Sequence, residues 1–254
     1  MLWIHAGPHK AASSYVTERL RKNRTTLAAQ RVLMDGDNNL LANSIAEKNY
    51  QPLEQALSGL PSDFQRILIS SSSLDTRILK RSVLTILRDM ASSYGFKLGI
   101  SYFIRDQQSW LNSVYCHRVR RFRSTQDFPD YCRYIMNNPS SWDISYPSKF
   151  SPLKDCPEIV KMFLPLSRLV EITDPFLALT SALGLKEPPG IGWLKGEPSK
   201  KNIQPGAKGI WMSRICYQLM ESLGFDPDVV NRKGEVSRDL ALERGWDEEE
   251  CEGC

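Results

Sequence analysis

Met1-Leu-Trp-Ile-His-Ala-Gly-Pro-His-Lys-Ala-Ala-Ser-Ser14 is the stretch whose reading decides the fold. Its first six residues, MLWIHA, form a nearly continuous apolar run that reads as a buried strand. Gly7 to Ser14 then make a short loop rich in small residues, and Tyr15–Ala29 carries a helical pattern. A strand feeding such a loop and then a helix aims several backbone N–H groups at one point. The helix dipole adds about half a positive charge there, so the junction suits an anion. Lys10 brings a full charge, Ser13 and Ser14 bring hydroxyl donors, and the small side chains of Ala11 and Ala12 leave the backbone approachable. An ordinary strand-to-helix turn with Ser as N-cap looks the same, so the loop alone leaves both readings open. The G-x-x-x-x-G-K-[ST] loop of nucleoside triphosphatases is absent, because no second Gly precedes a Lys-Ser or Lys-Thr pair. That disfavours an ordinary ATPase or GTPase.

Working outward, apolar runs at Arg31–Met34, Gln65–Ser70, Lys97–Ile104 and Arg168–Thr173 also read as strands. They are nearly continuous rather than alternating, which suits a parallel sheet covered on both faces. Thr76–Tyr94 predicts a helix, with Leu79, Val83, Leu87 and Met90 on one face and Gly95 as its stop. The alternation implies an α/β fold, a doubly wound parallel sheet of about five strands flanked by helices and joined by right-handed crossovers. Beyond Phe122, Pro129, Pro139, Pro147, Pro152, Pro157 and Pro165 punctuate short helices, so 127–165 reads as a helical insertion or lid. Gly190–Gly206 reads as a mobile loop, Ala207–Leu223 as a helix ended by Gly224, and 245–254 as an acidic tail. Residues 1–254 are expected to form a single domain.

Apolar residues at 41% and charged residues at 24% are ordinary globular values and exclude a collagen-like or largely disordered chain. No run approaches the ~18 apolar residues of a membrane span. The opening MLWIHAGPHK lacks a basic segment followed by an apolar run, so no signal peptide is read and the cytoplasm is the expected location. A formal charge of +4 suits small anionic ligands and falls short of a nucleic-acid footprint. Cys251 and Cys254 form a lone C-x-x-C in the tail, either incidental thiols, a redox pair or a contact; a zinc site needs a second such pair, so no metal is expected.

A second segment follows the fourth predicted strand: Arg105-Asp-Gln-Gln-Ser-Trp-Leu-Asn-Ser113. Arg105 stands at a strand's carboxyl end, where open α/β sheets bind ligands. Ser113 lies about two turns into the next helix, on a face that turns back toward the same crevice. A guanidinium fork and a hydroxyl suit a second phosphate. A strand-end Arg paired with Asp106 and a Ser bonded to its own helix is the plainer account.

Together the two segments resemble the nucleotide site of the sulfotransferases that use 3′-phosphoadenosine 5′-phosphosulfate (PAPS). Gly7-Pro-His-Lys-Ala-Ala-Ser-Ser14 resembles the family's 5′-phosphosulfate loop in its bacterial His-Lys-Thr-Gly-Thr-Thr form. Ala11, Ala12 and Ser13 stand where Thr, Gly and Thr are usual, and Ser14 keeps the last hydroxyl. Arg105 through Ser113 resembles the 3′-phosphate motif. Lys200-Lys201-Asn202 echoes a basic residue and Asn of relatives, and Arg232-Lys233-Gly234 echoes the Arg-Lys-Gly of the cytosolic branch. The resemblance covers roughly residues 1–122 with motifs in register. It implies a P-loop-like fold and an enzyme that moves a sulfuryl group from PAPS to a hydroxyl or amine of a small molecule or glycan, releasing adenosine 3′,5′-bisphosphate (PAP).

On that resemblance, Gly7, Pro8, His9, Lys10, Ala11, Ala12, Ser13 and Ser14 hold the 5′ end, and Arg105, Ser113, Lys201 and Asn202 complete the nucleotide site. Lys10 neutralises charge on the bridging oxygen as the bond breaks. The proton acceptor is expected to be His9, since serines occupy Ser70–Ser73 where relatives place Glu; Asp75 is either a substitute or an N-cap. His5 reads as a core residue, and His117 borders a pocket or faces water. Arg118, Arg120, Arg121 and Arg123 form a solvated basic face or steer anions. Trp110, Tyr115, Tyr131, Tyr134, Trp142 and Tyr146 are core or line an acceptor pocket. The competing functions are a non-catalytic or degenerate nucleotide-binding protein and a P-loop-like kinase.

Overall fold

The computed structural model describes residues 1–8, 10–36, 39–138, 145–166, 174–195 and 206–226. In chain order the elements are β1 (Leu2–Ala6), α1 (Ser13–Lys22), α2 (Arg24–Ala29), β2 (Val32–Met34), α3 (Leu40–Ala46), α4 (Gln51–Ser58) and β3 (Arg66–Ser71). After a 3₁₀ turn come α5 (Asp75–Ile78), α6 (Arg81–Ser93), β4 (Leu98–Arg105), α7 (Gln107–Arg120), α8 (Phe128–Asn137), α9 (Tyr146–Lys149) and α10 (Ser151–Lys154). The last are β5 (Val160–Leu166), α11 (Pro175–Ala182) and α12 (Ala207–Ser222). The chain divides into two compact units, Met1–Asp106 with Ser145–Glu197, and Gln107–Ile144 with Pro198–Cys254.

The first unit is built on a five-stranded, all-parallel sheet in the order β2-β3-β1-β4-β5. β1 is central, and all five of its residues are buried, which is why its apolar run is unbroken. Alternate residues point to opposite faces. Leu2, Ile4 and Ala6 join Ile67, Ile69, Leu98, Ile100 and Tyr102 under α3–α6, while Trp3, Leu68 and Phe103 pack against α1, α2 and α11. Gly99 is where two strands meet an indole: a Cβ there would lie 2.5 Å from the Trp3 ring.

Three boundaries differ from the sequence reading. Tyr15–Ala29 is two helices, not one, because the Asn23 side chain donates to the carbonyls of Arg19 and Leu194 and accepts from the Leu194 N–H. Thr76–Tyr94 likewise breaks before α6, where extended Lys80 offers its carbonyl to the N–H groups of Val83 and Leu84. Gly95 ends α6 at φ +75°, the left-handed stop its position predicts. The third difference concerns the insertion. Within 127–165 the described residues are helical in α8–α10, but 160–165 belongs to β5, so the insertion as drawn is a correction at its end. Pro165 reads as a helix breaker in sequence. It is tolerated in β5 because that strand lies at the sheet edge, where a missing N–H breaks no second ladder. The strand expected at Arg168–Thr173 lies outside the described residues, as do Trp142, Lys200–Asn202, Arg232–Gly234 and the tail.

In the second unit, Tyr115, Cys116, Val119, Tyr131, Ile135 and Ile210 form a small core among α7, α8 and α12. Asp127 caps α8 by accepting from the Asp130 N–H at 2.8 Å. Among the described residues no helix is long and apolar enough to cross a membrane.

Candidate functional site

β1 leads to β2 at one edge of the sheet and β4 leads to β5 at the other, so the chain leaves the adjacent carboxyl ends of β1 and β4 in opposite senses. Open α/β sheets bind ligands at such a point. The loop after β1 occupies it. Gly7 is buried, and a Cβ on it would lie 1.9 Å from Ser13 Oγ and 2.5 Å from Ser13 Cβ. Only a residue without a side chain lets β1 run this close to the first turn of α1. The Ala11 N–H donates to the Pro8 carbonyl at 3.1 Å, and Ser13 Oγ donates to the same carbonyl at 3.3 Å. Lys10 and Ala12 both adopt left-handed backbone, at φ 69° and 58°. Such strain on non-glycine residues is held by surrounding structure and gathers at ligand clamps. Ala12 stands directly before α1 without a side-chain cap, so the α1 N–H groups open on the loop.

Of the residues expected here, Ser14 is exposed, Lys10 and Ala12 are half-buried, and Ala11 and Ser13 are buried. The Ser13 hydroxyl turns inward to Pro8 rather than outward. His9 lies outside the described residues. Arg105 is brought to the loop: its Nη1 donates to the Lys10 carbonyl at 3.1 Å. Ser113 is buried on α7, in the second unit.

Beneath the loop, His5 is fully buried, with Nδ1 2.8 Å from Ser70 Oγ and its ring edge-on to Phe103. Ser70 Oγ is in turn 2.8 Å from Thr17 Oγ1, which ties α1 to β1 and β3. Burial pushes the His5 pKa down to about 4, so the ring is neutral. His5 is thus a core residue, although its Nε2 has no hydrogen-bond partner among the described residues. Arg19, also buried, pairs with Asp174 and lies 4.2 Å from the Phe176 ring centroid, fastening α1 to α11.

Other expectations sort by unit. Arg120 is buried and lies 3.4 Å from His117 Nδ1, so the basic run is not wholly a solvated face. Tyr115 and Tyr131 are core of the second unit. Tyr146 belongs to the first, where its hydroxyl donates to the Arg105 carbonyl at 2.6 Å. Lys149 is the residue the sequence reading missed: its Nζ lies 2.7 Å from Asp75 Oδ1, with the lysine side chain 3% exposed. Asp75 is therefore an ion-pair partner, and nothing in the spacing of residues 75 and 149 announces it. Among the described residues no three His, Cys, Asp or Glu side chains gather as metal ligands. Comparison with protein-family models, curated proteins and solved structures returns no match.

Proposed function

We propose that the protein is a P-loop-like, PAPS-dependent sulfotransferase that transfers a sulfuryl group to a hydroxyl or amine of a small molecule or glycan in the cytoplasm. One observation carries the reading. The guanidinium of Arg105, from the end of β4, donates to the backbone of Lys10, in the loop after β1, so both belong to one crevice. A 5′-phosphosulfate loop and a 3′-phosphate arginine need that adjacency. The left-handed backbone at Ala12 also agrees with the family's usual Gly at that position.

In the reaction, the acceptor attacks sulfur in line and PAP leaves. Lys10 neutralises the charge that develops on the bridging oxygen, a preorganised electrostatic role. Gly7–Ser14 hold the 5′ end and Arg105 holds the 3′-phosphate. A binding-only protein is the second reading, favoured by the inward-turned Ser13 hydroxyl. A kinase is less well served, since the ammonium of Lys149, 2.7 Å from the carboxylate after β3, Asp75, opposes a metal cation there.

Calorimetric titration with PAP, 5′-AMP and ATP tests the reading, on wild type and Arg105→Ala. Binding that depends on the 3′-phosphate and is lost in the variant is expected. Equal affinity for PAP and 5′-AMP refutes it.

A further inference from the structure

The ligand end of the sheet carries a pair of charges that the nucleotide motifs do not use. Lys149 Nζ and Asp75 Oδ1 are 2.7 Å apart, the lysine side chain 3% exposed and the aspartate 19%. Burying an ion pair adds little stability, because losing water from both charges offsets their attraction; apolar replacements of similar volume are often as good or better. A pair kept at the carboxyl end of an α/β sheet, where ligands bind, points to chemistry instead.

The contacts around it hold it still. Tyr102 donates its hydroxyl to the Asp75 carbonyl at 2.6 Å, and Tyr146, on the same short helix as Lys149, donates to the Arg105 carbonyl at 2.6 Å. Phe150 packs on the Tyr102, Tyr146 and Phe163 rings at 4.9, 5.9 and 4.9 Å between centroids. The pair thus lies in one fabric with Arg105, and through it with Lys10. Among the described residues, Tyr102, Tyr146, Arg105, Asp106 and Lys10 are further charged or titratable groups at this end. Burial is the main cause that raises the Tyr146 phenol, and Asp106, Arg105 and Asp75 all act on it. The lysine is sealed from water, while the aspartate keeps an open edge.

We propose, resting on the sulfotransferase reading, that Asp75 takes the acceptor's proton and that Lys149 is the positioning residue that keeps this carboxylate ionised and aimed. The acceptor oxygen or nitrogen forms its bond to sulfur as its proton passes to Asp75. The bond from sulfur to the bridging oxygen breaks, and its electron pair leaves with PAP, where Lys10 meets the charge. The proton on Asp75 then returns to water. This assigns the proton to Asp75 rather than to His9.

The test uses the 254-residue wild-type chain, Asp75→Asn, Lys149→Met, Lys149→Arg and His9→Asn. PAP affinity is read by calorimetry, and PAP release from PAPS is followed against pH with p-nitrophenol and with water as acceptors. Asp75→Asn and the two Lys149 variants should bind PAP within about twofold of wild type, because neither residue is assigned to the nucleotide, while loss of general base catalysis should slow Asp75→Asn by about 100-fold or more. Lys149→Met should shift the acid limb of the rate profile to higher pH, since a carboxylate without its ammonium takes up a proton more readily. Lys149→Arg should restore the limb, and it keeps the test decisive if Lys149→Met folds poorly. Asp75→Asn turning over like wild type overturns the inference, and so does a His9→Asn loss that Asp75→Asn does not share. Wild type that binds PAP but releases none from PAPS with either acceptor also overturns it. Failure of wild type to bind PAP refutes instead the sulfotransferase reading, and the inference falls with it.

Discussion

Replacing Gly7 by Ala tests how the loop after β1 is built. The added Cβ would sit 1.9 Å from Ser13 Oγ, 2.5 Å from Ser13 Cβ and 3.5 Å from Ser13 Cα. Rotating the serine relieves only the first contact, because Cβ is fixed to the helix backbone. Carbon atoms pack best at about 3.5–4.0 Å, so β1 and the start of α1 must separate by about 1 Å. Overpacking of this kind destabilises by about 1–3 kcal/mol, and the upper half of that range is expected at so rigid a junction. In a Ser13→Gly background the nearest remaining atom is Cα, at ordinary contact distance. Gly7→Ala should then change stability by less than about 0.5 kcal/mol, since Ala restricts only the unfolded chain. The coupling between the two positions is therefore about 2 kcal/mol, well above the scatter of a double-mutant cycle. Urea unfolding of the four proteins measures it, provided the m-values agree. If Gly7→Ala is as harmful in the Ser13→Gly background as in the wild-type chain, the close approach of β1 to α1 is not what requires glycine.

Ala12→Gly should stabilise the chain by about 0.5–1 kcal/mol in a thermal melt, because it relieves left-handed backbone at φ 58°; no gain would mean the loop does not hold that conformation. His5 contributes to acid sensitivity with a definite sign. Its folded pKa of about 4 lies below the ordinary 6.5, so the unfolded chain binds the extra proton first and stability falls as pH drops from 6.5 to 4. The full effect is up to about 3 kcal/mol, and His5→Asn should flatten that limb in urea titrations at several pH values. On the proposed sulfotransferase reading, Lys10→Met should slow sulfuryl transfer by orders of magnitude while leaving PAP affinity mostly intact; normal turnover would remove Lys10 from the mechanism. Removing one partner of the Arg19–Asp174 pair by Arg19→Leu should destabilise the chain by about 3 kcal/mol in urea unfolding, because Asp174 loses its buried counter-charge.

Much of the fold is legible in short range. The runs at β1 to β4 are apolar on both faces because those strands are covered on both sides, and periodicity alone reports that. The loop after β1 is equally local, since small residues and a following helix lie within one stretch of chain. β5 is harder to read, because an edge strand tolerates Pro165 and leaves Val160 and Phe163 partly exposed, which blurs its pattern. The splitting of the first predicted helix depends on Leu194, far along the chain, and no pattern near Asn23 records it.

The sequence by itself determined the α/β class, the parallel sheet and the small-residue loop with its lysine, because hydrophobic period and backbone freedom are properties of neighbouring residues. Tertiary structure alone decided which strands are adjacent, and hence that Arg105 meets the Lys10 backbone, that His5 is sealed and neutral, and that Lys149 is buried against Asp75. Those facts rest on burial and on polar and charged groups brought together across 74 to 95 positions of chain. Electrostatic energy depends on distance and solvent access in the folded state, and sequence separation encodes neither.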